Sequence, residues 1–388
     1  MAAFLRTLVF SCAVALGFAG PASGALAAGA GDWFRYGPGV ETAWDVQATS
    51  DQMEVRIRKS GLQLKPEHRV FVLYPRPSSA YDTAITRVLD VFSAKGISAE
   101  FTVVNFNMED GRGRRALAAA ISGQYDLILS MGSEATAWLY EKYQGGNIPV
   151  VSICSKDPVL LGQMPSYDQG SGKNFAFTSL NVPVEVQMAY LMELVPELKN
   201  LAILVDTENV SAVQTQAEPI GRLARRRGIQ VMAANVKSSA SSSAELPGVV
   251  SNAVAQMRKS DPDLSKSVFW LTGSTSVFRE IRLINDNADR VPVISVVPEI
   301  VKPGADTAAI SVGVSFESNA HLAAIYAADI LSGKARAGEL PVGLVSPPDI
   351  AVSFRKTREI GMRVPFSLFE TASFVYDYDG RPVRSPGQ

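Results

Sequence analysis

Residues 69–96 read RVFVLYPRPSSAYDTAITRVLDVFSAKG, and this stretch predicts the fold of the chain. Residues 70–74 form a short run of apolar and aromatic side chains, which is typical of a buried strand. A polar turn follows, and residues 81–95 then carry apolar side chains at helical spacing up to Gly96, a residue type that commonly ends helices. A strand, a polar turn and a helix in this order form the repeating unit of parallel α/β proteins.

The same unit recurs in two consecutive series. In the first series, the pattern predicts further strands at 99–106, 127–130 and 149–153, with helices at 112–122 and 133–143. In the second series, it predicts strands at 201–205, 230–235, 268–271 and 291–296, with helices at 183–195, 211–227, 246–258 and 277–287. Two such series predict an α/β fold with two lobes, each a parallel sheet flanked by helices.

The remaining segments decide the expected domain boundaries. A strand at 308–314, a helix at 319–331 and a strand at 350–354 are too few to bury a third core, so we expect them to complete the two lobes. Crossover segments near 170–180, 305–312 and 338–345 would form a hinge. The expected units are a signal peptide (1–27), an amino-terminal arm (28–66), a first lobe (67–173 plus 310–340), a second lobe (174–309 plus 341–376) and a carboxyl-terminal tail (377–388).

The first residues of the chain have the pattern of an export signal. Arg6 supplies a positive charge, residues 8–19 are apolar, and residues 25–27 (ALA) have the small-x-small pattern that signal peptidase accepts. The apolar run is shorter than the roughly 20 residues that a membrane span needs. We therefore expect cleavage between Ala27 and Ala28 and a mature protein in the periplasm.

The composition argues against several classes of function. The chain has 37 Lys plus Arg and 38 Asp plus Glu residues, so its charge is balanced and does not indicate nucleic acid or an anionic membrane surface as a partner. Removal of the signal would leave Cys154 without a second cysteine, which excludes an intramolecular disulfide. No group of residues has metal-ligand spacing. We expect no cofactor, no metal and a monomer.

Six turns that follow predicted strands are small and polar. In open α/β sheets, ligands bind at the carboxyl ends of the strands, where helix N-termini present free N–H groups. Hydroxyl residues and glycine at any one turn also serve as helix N-caps, so a single turn does not indicate a site. Six such turns on two facing lobes favour a polar cleft. They are residues 76–81, 131–136, 154–158, 206–211, 272–275 and 297–299.

Two segments of the first series resemble a known family. Residues 125–137 (YDLILSMGSEATA) and 148–158 (IPVVSICSKDP) are similar to the first lobe of type I periplasmic binding proteins of ABC transporters, in the group that includes tryptophan- and tyrosine-binding members. The resemblance extends over roughly residues 68–370. Its further segments are residues 195–205, 209–211, 310–314, 324–333 and 354–365.

The resemblance implies a solute-binding protein that closes over a small molecule and delivers it to the permease of an ABC importer in the inner membrane. It also implies that the polar turns of both lobes contact the ligand, and Tyr81 adds an aromatic surface for stacking. The predicted ligand-binding residues are Ser78, Ser79, Tyr81, Gly132, Ser133, Glu134, Ser155 and Asp157 in the first lobe, and Thr207, Asn209, Ser274, Thr275 and Glu299 in the second.

The identity of the ligand is not implied, because two turns depart from the family pattern. Residues 132–134 (GSE) stand where relatives often have Ala-Thr, and residues 273–275 (GST) stand where relatives often have Thr-Asp-Asn. An amino acid or related carboxylate would be bound through its charged ends. Its carboxylate would meet N–H groups at Ser79 and Ser133, and its amine would meet Glu134, Asp157 or Glu299.

Two other classes of function are alternatives to a solute-binding protein of an importer. An aromatic arm favours a binding module that reports to a receptor instead of an importer; its aromatic residues are Trp33, Phe34, Tyr36 and Trp44. An enzyme would need a histidine beside a nucleophile, and His68, His321 and Cys154 are not arranged in that way. Residues 111–116 (GRGRRA) imitate a dinucleotide loop, but three arginines fit an exposed helix face. We therefore expect no catalytic residues.

Overall fold

The computed structural model describes residues 27–28, 33–61 and 66–385 of the chain. The predicted signal peptide lies outside these residues except for Ala27, which forms a short strand with Ala28. Within the described ranges, each helix is either too short or too polar to cross a bilayer.

The amino-terminal segment is built into the first lobe. Its elements are β1 (Ala27–Ala28), β2 (Arg35–Tyr36), α1 (Val40–Ala43), β3 (Trp44–Ala48) and β4 (Glu54–Lys59). β3 and β4 form an antiparallel hairpin that joins the edge of the first-lobe sheet. This corrects the prediction of an arm over residues 28–66. The reason is the alternation in β4, which buries Val55 and Ile57 while Arg56 and Arg58 face solvent.

The first lobe alternates strands and helices as predicted. Its elements are β5 (His68–Tyr74), α2 (Ser79–Ala94), β6 (Ala99–Asn105), α3 (Asp110–Ser122), β7 (Leu127–Met131), α4 (Gly132–Tyr143), β8 (Val150–Ile153) and β9 (Phe175–Ala176). The strand order of the sheet is β3-β4-β6-β5-β7-β8-β9, and the strands from β5 to β9 pair in parallel. Every residue of β7 is buried, because helices cover both faces of the sheet.

The second lobe repeats this organisation. Its elements are β10 (Thr178–Ser179), α5 (Val184–Leu194), β11 (Asn200–Asp206), α6 (Val210–Ala212), a π-helical turn (Val213–Ala217), α7 (Glu218–Arg226), β12 (Gln230–Val236), α8 (Ser242–Ser260), β13 (Ser267–Leu271), α9 (Thr275–Phe278), α10 (Ile281–Asn287), β14 (Val293–Ser295), a 3-10 turn (Pro298–Ile300) and β15 (Ile310–Gly313). Every residue of β11 is buried.

Residues 316–384 complete both lobes. Their elements are α11 (Phe316–Leu331), a 3-10 turn (Ala337–Glu339), β16 (Gly343–Leu344), β17 (Asp349–Ser353), α12 (Phe354–Glu359), α13 (Phe366–Thr371), β18 (Phe374–Tyr376) and β19 (Pro382–Arg384). The second sheet has the order β12-β11-β13-β14-β15-β17-β18-β19, and β10 pairs with β16 in a separate two-stranded sheet at the crossover. The two-lobed α/β fold is as predicted.

Three boundaries of the expected units differ from the structure. β9 lies in the first sheet, although residues 174–309 were predicted to belong to the second lobe. β15 lies in the second sheet between β14 and β17, although residues 310–340 were predicted to belong to the first lobe. α11, in contrast, packs on α2 of the first lobe, so the chain crosses between lobes after β15. The expected tail at 377–388 contains β19, which extends the second sheet. A strand pattern in the sequence indicates that a segment is extended and buried, but it does not indicate which sheet the segment joins.

Candidate functional site

A cleft of about 450 Å³ lies between the carboxyl ends of the strands of the two sheets. Side chains from both lobes line it, together with residues of the crossover segments. The first-lobe lining is Arg76, Pro77, Ser78, Ala80, Tyr81, Ser133, Glu134, Cys154 and Lys156. The lining from the crossovers and the second lobe is Leu180, Asp206, Glu208, Asn209, Ser211, Gln216, Ser239, Gly273, Thr275, Ser276, Phe278, Arg279, Val296, Val297, Val314 and Phe316.

The start of α2 supplies one wall of the cleft. Ser78 is the N-cap of this helix, and its Oγ accepts a hydrogen bond of 3.3 Å from the N–H of Ala80. The ring of Tyr81 lies in a T-shaped contact with Tyr74, with 5.4 Å between the ring centroids. The hydroxyl of Tyr74 donates a hydrogen bond of 3.2 Å to the carbonyl of Tyr81. Tyr74 therefore holds both the backbone and the ring of a residue that lines the cleft.

The start of α4 supplies the neighbouring part of the same wall. Gly132 adopts a φ of +76°, a left-handed conformation that glycine accepts at low cost, and it leaves room for the hydroxyl of Tyr81. The carboxylate of Glu134 forms an ion pair with Arg76, and both side chains are about half exposed at the rim. Glu134, which was predicted to bind the amine of a ligand, is therefore already paired with the guanidinium of Arg76.

Lys156 lines the cleft but was not predicted as a ligand-binding residue, although it lies inside one of the six polar turns. It is 9 % exposed, and its backbone N–H donates a hydrogen bond of 2.9 Å to the hydroxyl of Ser133. Burial lowers the pKa of its ammonium to about 8, and the nearby charge of Glu134 opposes this shift. The turn places its side chain on the inner side of the cleft, which spacing alone does not reveal.

The second-lobe wall contains a buried carboxylate at the end of β11. Oδ2 of Asp206 accepts a hydrogen bond of 2.5 Å from the hydroxyl of Ser276, and Oδ1 accepts one of 2.9 Å from the N–H of Glu208. Asn209 caps the following helical turn, because its Oδ1 accepts hydrogen bonds from the N–H of Ala212 and from the hydroxyl of Ser211. Asp206 was not among the predicted site residues, although it is the first residue of the predicted polar turn 206–211.

A π-helical turn brings a second missed residue into the cleft. Gln216 lies in this turn, where one extra residue rotates the side chains relative to an α-helix. Its Oε1 accepts a hydrogen bond of 2.8 Å from the N–H of Gly273. Regular helical spacing does not indicate a π-turn, so no signal in the sequence pointed to Gln216.

The structure divides the predicted ligand-binding residues into two sets. Those that line the cleft are Ser78, Tyr81, Ser133, Glu134, Asn209 and Thr275. Those that lie outside its lining are Ser79, Gly132, Ser155, Asp157, Thr207, Ser274 and Glu299.

Most residues of the second set have structural partners. Asp157 accepts hydrogen bonds from the N–H groups of the turn that follows it and from the hydroxyl of Tyr167 at 2.6 Å. The hydroxyl of Thr207 donates to the carbonyls of residues 236 and 237, and Ser274 is buried beside Thr272, 3.0 Å between hydroxyls. Oε1 of Glu299 accepts a hydrogen bond of 2.6 Å from the N–H of Phe316 at the start of α11. These contacts use the groups that were predicted to hold a ligand.

Cys154 lines the cleft without the arrangement that activates a cysteine nucleophile. Cys154 is 5 % exposed, its burial raises the pKa of the thiol, and its N–H donates a hydrogen bond of 2.7 Å to Oδ1 of Asn319. Neither His68 nor His321 lines the cleft. A buried, protonated thiol without a nearby base is a poor nucleophile. In the described part of the chain, no group of three or more acidic, histidine or cysteine side chains is placed to bind a metal.

A family model described as ABC transporter substrate binding protein matches residues 78–375 of the chain. No curated protein sequence matches the chain significantly. Residues 33–77, which include the hairpin and β5, lie outside the match.

Solved structures share the fold at low sequence identity. A conserved domain protein from Vibrio cholerae has a TM-score of 0.61 and 20% identity, covering 79% of this chain and 99% of its own. A ligand-free, open substrate-binding protein with adhesive properties from Clostridium difficile has a TM-score of 0.61 and 18% identity, covering 82% and 99%. An ABC domain in complex with L-Trp from Streptococcus pneumonia has a TM-score of 0.61 and 16% identity, covering 79% and 99%.

Proposed function

The chain belongs to the ABC transporter substrate-binding protein family, and from this premise we propose that it captures a small molecule between its lobes and delivers it to an ABC permease in the inner membrane. The pattern of residues 6–27 supports export to the periplasm as the location of this step. Closure of two lobes around a ligand is a common mode of binding in proteins of this shape.

One observation carries the proposal: the cleft is lined by apolar side chains from both lobes together with charged groups of opposite sign. Tyr81, Phe278 and Phe316 contribute apolar surface, as do Val296 and Val297. Sites for small molecules typically combine such a surface with a few convergent polar groups.

The charged groups favour a zwitterionic ligand. Lys156 lies on the first-lobe side, and Asp206 lies on the second-lobe side. An amino acid or related carboxylate would place its carboxylate toward the lysine and its amine toward the aspartate. The side chain of the ligand would then contact the apolar residues of the cleft. The relative from Streptococcus pneumonia that was solved with L-Trp supports amino acids as the first class to test.

The receptor-linked alternative was favoured by an aromatic arm, and the described residues of that segment are packed into the first lobe. Trp33, Phe34, Tyr36 and Trp44 are all buried against the first lobe, so they offer no exposed aromatic surface to a partner. The importer hypothesis is therefore better supported than the receptor hypothesis.

Thermal unfolding of residues 28–388 in the presence of candidate ligands tests the proposal. The protein is unfolded and refolded first, which removes any ligand that co-purifies, and the panel includes L-amino acids, sugars, nucleosides and organic anions. A ligand at 100 times its dissociation constant stabilises the folded state by about 2.7 kcal/mol. We expect Ser133→Ala to weaken binding, whereas Ser122→Ala, an exposed serine on α3, should not. A panel without any shift would contradict the proposed function.

A further inference from the structure

Lys156 occupies the place where the two lobes meet. It follows β8 in the first lobe and is 9 % exposed. A Cβ atom on Gly273 of the second lobe would lie 3.7 Å from Cε of Lys156. This is an ordinary van der Waals distance, so the lysine side chain reaches the second lobe beside Gly273.

The ammonium of Lys156 has no partner within the described residues, since none of their hydrogen bonds or ion pairs includes its Nζ atom. Lys356 provides a contrast in the same protein: it is 7 % exposed, and its Nζ lies 2.9 Å from a carboxylate oxygen of Glu359. The side chain of Lys156 lines the cleft, and Glu134 supplies a nearby opposite charge without forming an ion pair with it. An ammonium on a cleft-lining side chain that has no hydrogen bond or ion pair within the described residues is available to an anionic group of a ligand.

Two hydrogen-bond donors line the same cleft as Lys156. The oxygen of Ser133 accepts from the N–H of Lys156, so its hydroxyl hydrogen is free to donate into the cleft. Oε1 of Gln216 accepts from the N–H of Gly273, which leaves the amide NH₂ of Gln216 as a donor. Donors from both lobes and one cation are the groups that bind an anionic oxygen.

We infer that Lys156 is the specificity-determining residue of the cleft and that it selects ligands with a carboxylate, which it holds at the junction of the two lobes. This inference rests on the proposed function of ligand binding in the cleft. It moves the carboxylate site from the N–H groups of Ser79 and Ser133 to a charged side chain. Because the donors come from both lobes, the carboxylate would also link charge selection to lobe closure.

Binding should depend on pH, because only the protonated lysine attracts a carboxylate. In the ligand-free protein, burial lowers the pKa of Lys156 to about 8, and a bound carboxylate would raise it. Affinity should therefore be constant below pH 7 and fall above pH 8. The other charged groups that line the cleft are Arg76, Glu134, Asp206, Glu208 and Arg279.

The first test uses sodium acetate, a small carboxylate probe that leaves the proposed amino-acid ligand out of the experiment. Melting temperatures of refolded, full-length mature protein are compared in acetate and in chloride at equal ionic strength, with neutral acetamide as a control. We expect acetate to raise the melting temperature of the wild type and not that of Lys156→Met. Lys259→Met, which changes an exposed lysine on α8, should respond as the wild type does.

The melting temperatures of the same variants without ligand test whether Lys156 contributes to the stability of the folded protein. Without any ligand, Lys156→Met should melt close to the wild-type temperature, because the ammonium has no hydrogen bond or ion pair within the described residues to lose. A lower melting temperature than that of Lys259→Met would mean that Lys156 stabilises the lobes directly, and it would overturn the inference. An equal response of the wild type and Lys156→Met to acetate would overturn it as well.

The second test compares L-amino acids with their amides, which differ in the negative charge, and includes L-tryptophan and L-tryptophan amide. For any amino acid that shifts the wild type, we expect the amide and the Lys156→Met variant to bind about 10- to 100-fold more weakly, as loss of a hydrogen bond to a charged group predicts. Equal binding of acid and amide would overturn the inference. A specific acetate response without any amino-acid hit would support Lys156 while rejecting amino acids as the ligand class.

Discussion

A Cβ atom on Gly132 would lie 2.0 Å from the phenolic oxygen of Tyr81. Gly132 begins α4 with a φ of +76°, and Tyr81 lies in the first turn of α2 and lines the cleft. Two helices that start at neighbouring strand ends therefore approach each other through a position that accepts only glycine. The shape of the cleft wall depends on this contact, although Gly132 itself does not line the cleft.

Gly132→Ala should therefore destabilise the protein and displace Tyr81. The left-handed backbone costs about 1–3 kcal/mol for a residue with a Cβ atom, and the clash with Tyr81 adds about 1–3 kcal/mol. Gly145→Ala is a matched control, because Gly145 has a φ of +83° and no atom within 4 Å of its Cβ position. Denaturant unfolding of both variants separates the two costs, and equal losses of stability would contradict a clash with Tyr81.

Trp33→Ala should lower stability because the amino-terminal segment is part of the first-lobe core. The ring of Trp33 is 5.7 Å from that of Tyr74, and its Nε1–H donates a hydrogen bond of 2.8 Å to the carbonyl of Gln52. We expect a loss of about 3 kcal/mol in the free energy of unfolding. Phe366→Ala, at an aromatic residue that is 70 % exposed, should change it by less than about 0.5 kcal/mol. Similar values for the two variants would show that Trp33 is dispensable for the lobe.

Trp33→Ala should also weaken ligand binding, through Tyr74 and Tyr81. Tyr74 contacts both Trp33 and Tyr81, so loss of the indole removes support from the residue that holds Tyr81. Isothermal titration with a ligand found in the thermal screen measures the effect. Unchanged affinity in a destabilised variant would mean that Tyr81 keeps its position without this support.

Glu299 should make stability fall as the pH rises toward neutrality. Its Oε2 is shielded from solvent without a hydrogen-bond partner among the described residues, and burial raises the pKa of the carboxyl from 4.5 to about 7. The folded state therefore binds a proton that the unfolded state releases. The resulting stability is complete below pH 4.5 and is lost as the pH rises through 7.

Glu299→Gln should remove this dependence and keep an acceptor for the N–H of Phe316. We expect the variant to lose about 1–3 kcal/mol less stability than the wild type between pH 5 and pH 8. Asp82 acts in the same direction, because burial raises the pKa of its carboxyl to about 7, so Asp82→Asn is the comparison variant. Urea unfolding at several pH values measures the slopes. Parallel curves for the wild type and Glu299→Gln would contradict the assignment.

Asp206→Asn should weaken the binding of ligands that carry an amine. The carboxylate of Asp206 is 4 % exposed and is oriented by Ser276 and the N–H of Glu208. We expect an affinity loss of about 10- to 100-fold for an amino acid and a smaller loss for the corresponding acid without the amine. Asp263→Asn, at an exposed position, is the control. Equal losses for both ligands would place the amine elsewhere.

Local sequence patterns determined the elements and their order. The sequence predicted β5, α2 and the repetition of this pair through β14. It could do so because a strand buried on both faces is a continuous apolar run, whereas a helix buried on one face has apolar residues at a period of about 3.6. The alternation of Val55 and Ile57 in β4 was equally readable, and it could have identified the hairpin. Among site residues, Ser78 and Ser133 were found because the small, polar turns that follow strands have a recognisable composition.

Long-range contacts decided the rest. Whether β15 joins the first or the second sheet depends on pairing with β14 and β17, which are separated from it in sequence. Lys156 lines the cleft and Asp157 does not, because a turn directs adjacent side chains to opposite sides and the facing lobe decides which side is the ligand site. Gln216 reaches the cleft through a π-turn that helical spacing does not encode. The sequence by itself determined which residues are buried or polar, because those preferences are local. Only the tertiary structure decided which polar groups face one another, because the contacts between them join segments that are far apart in the chain.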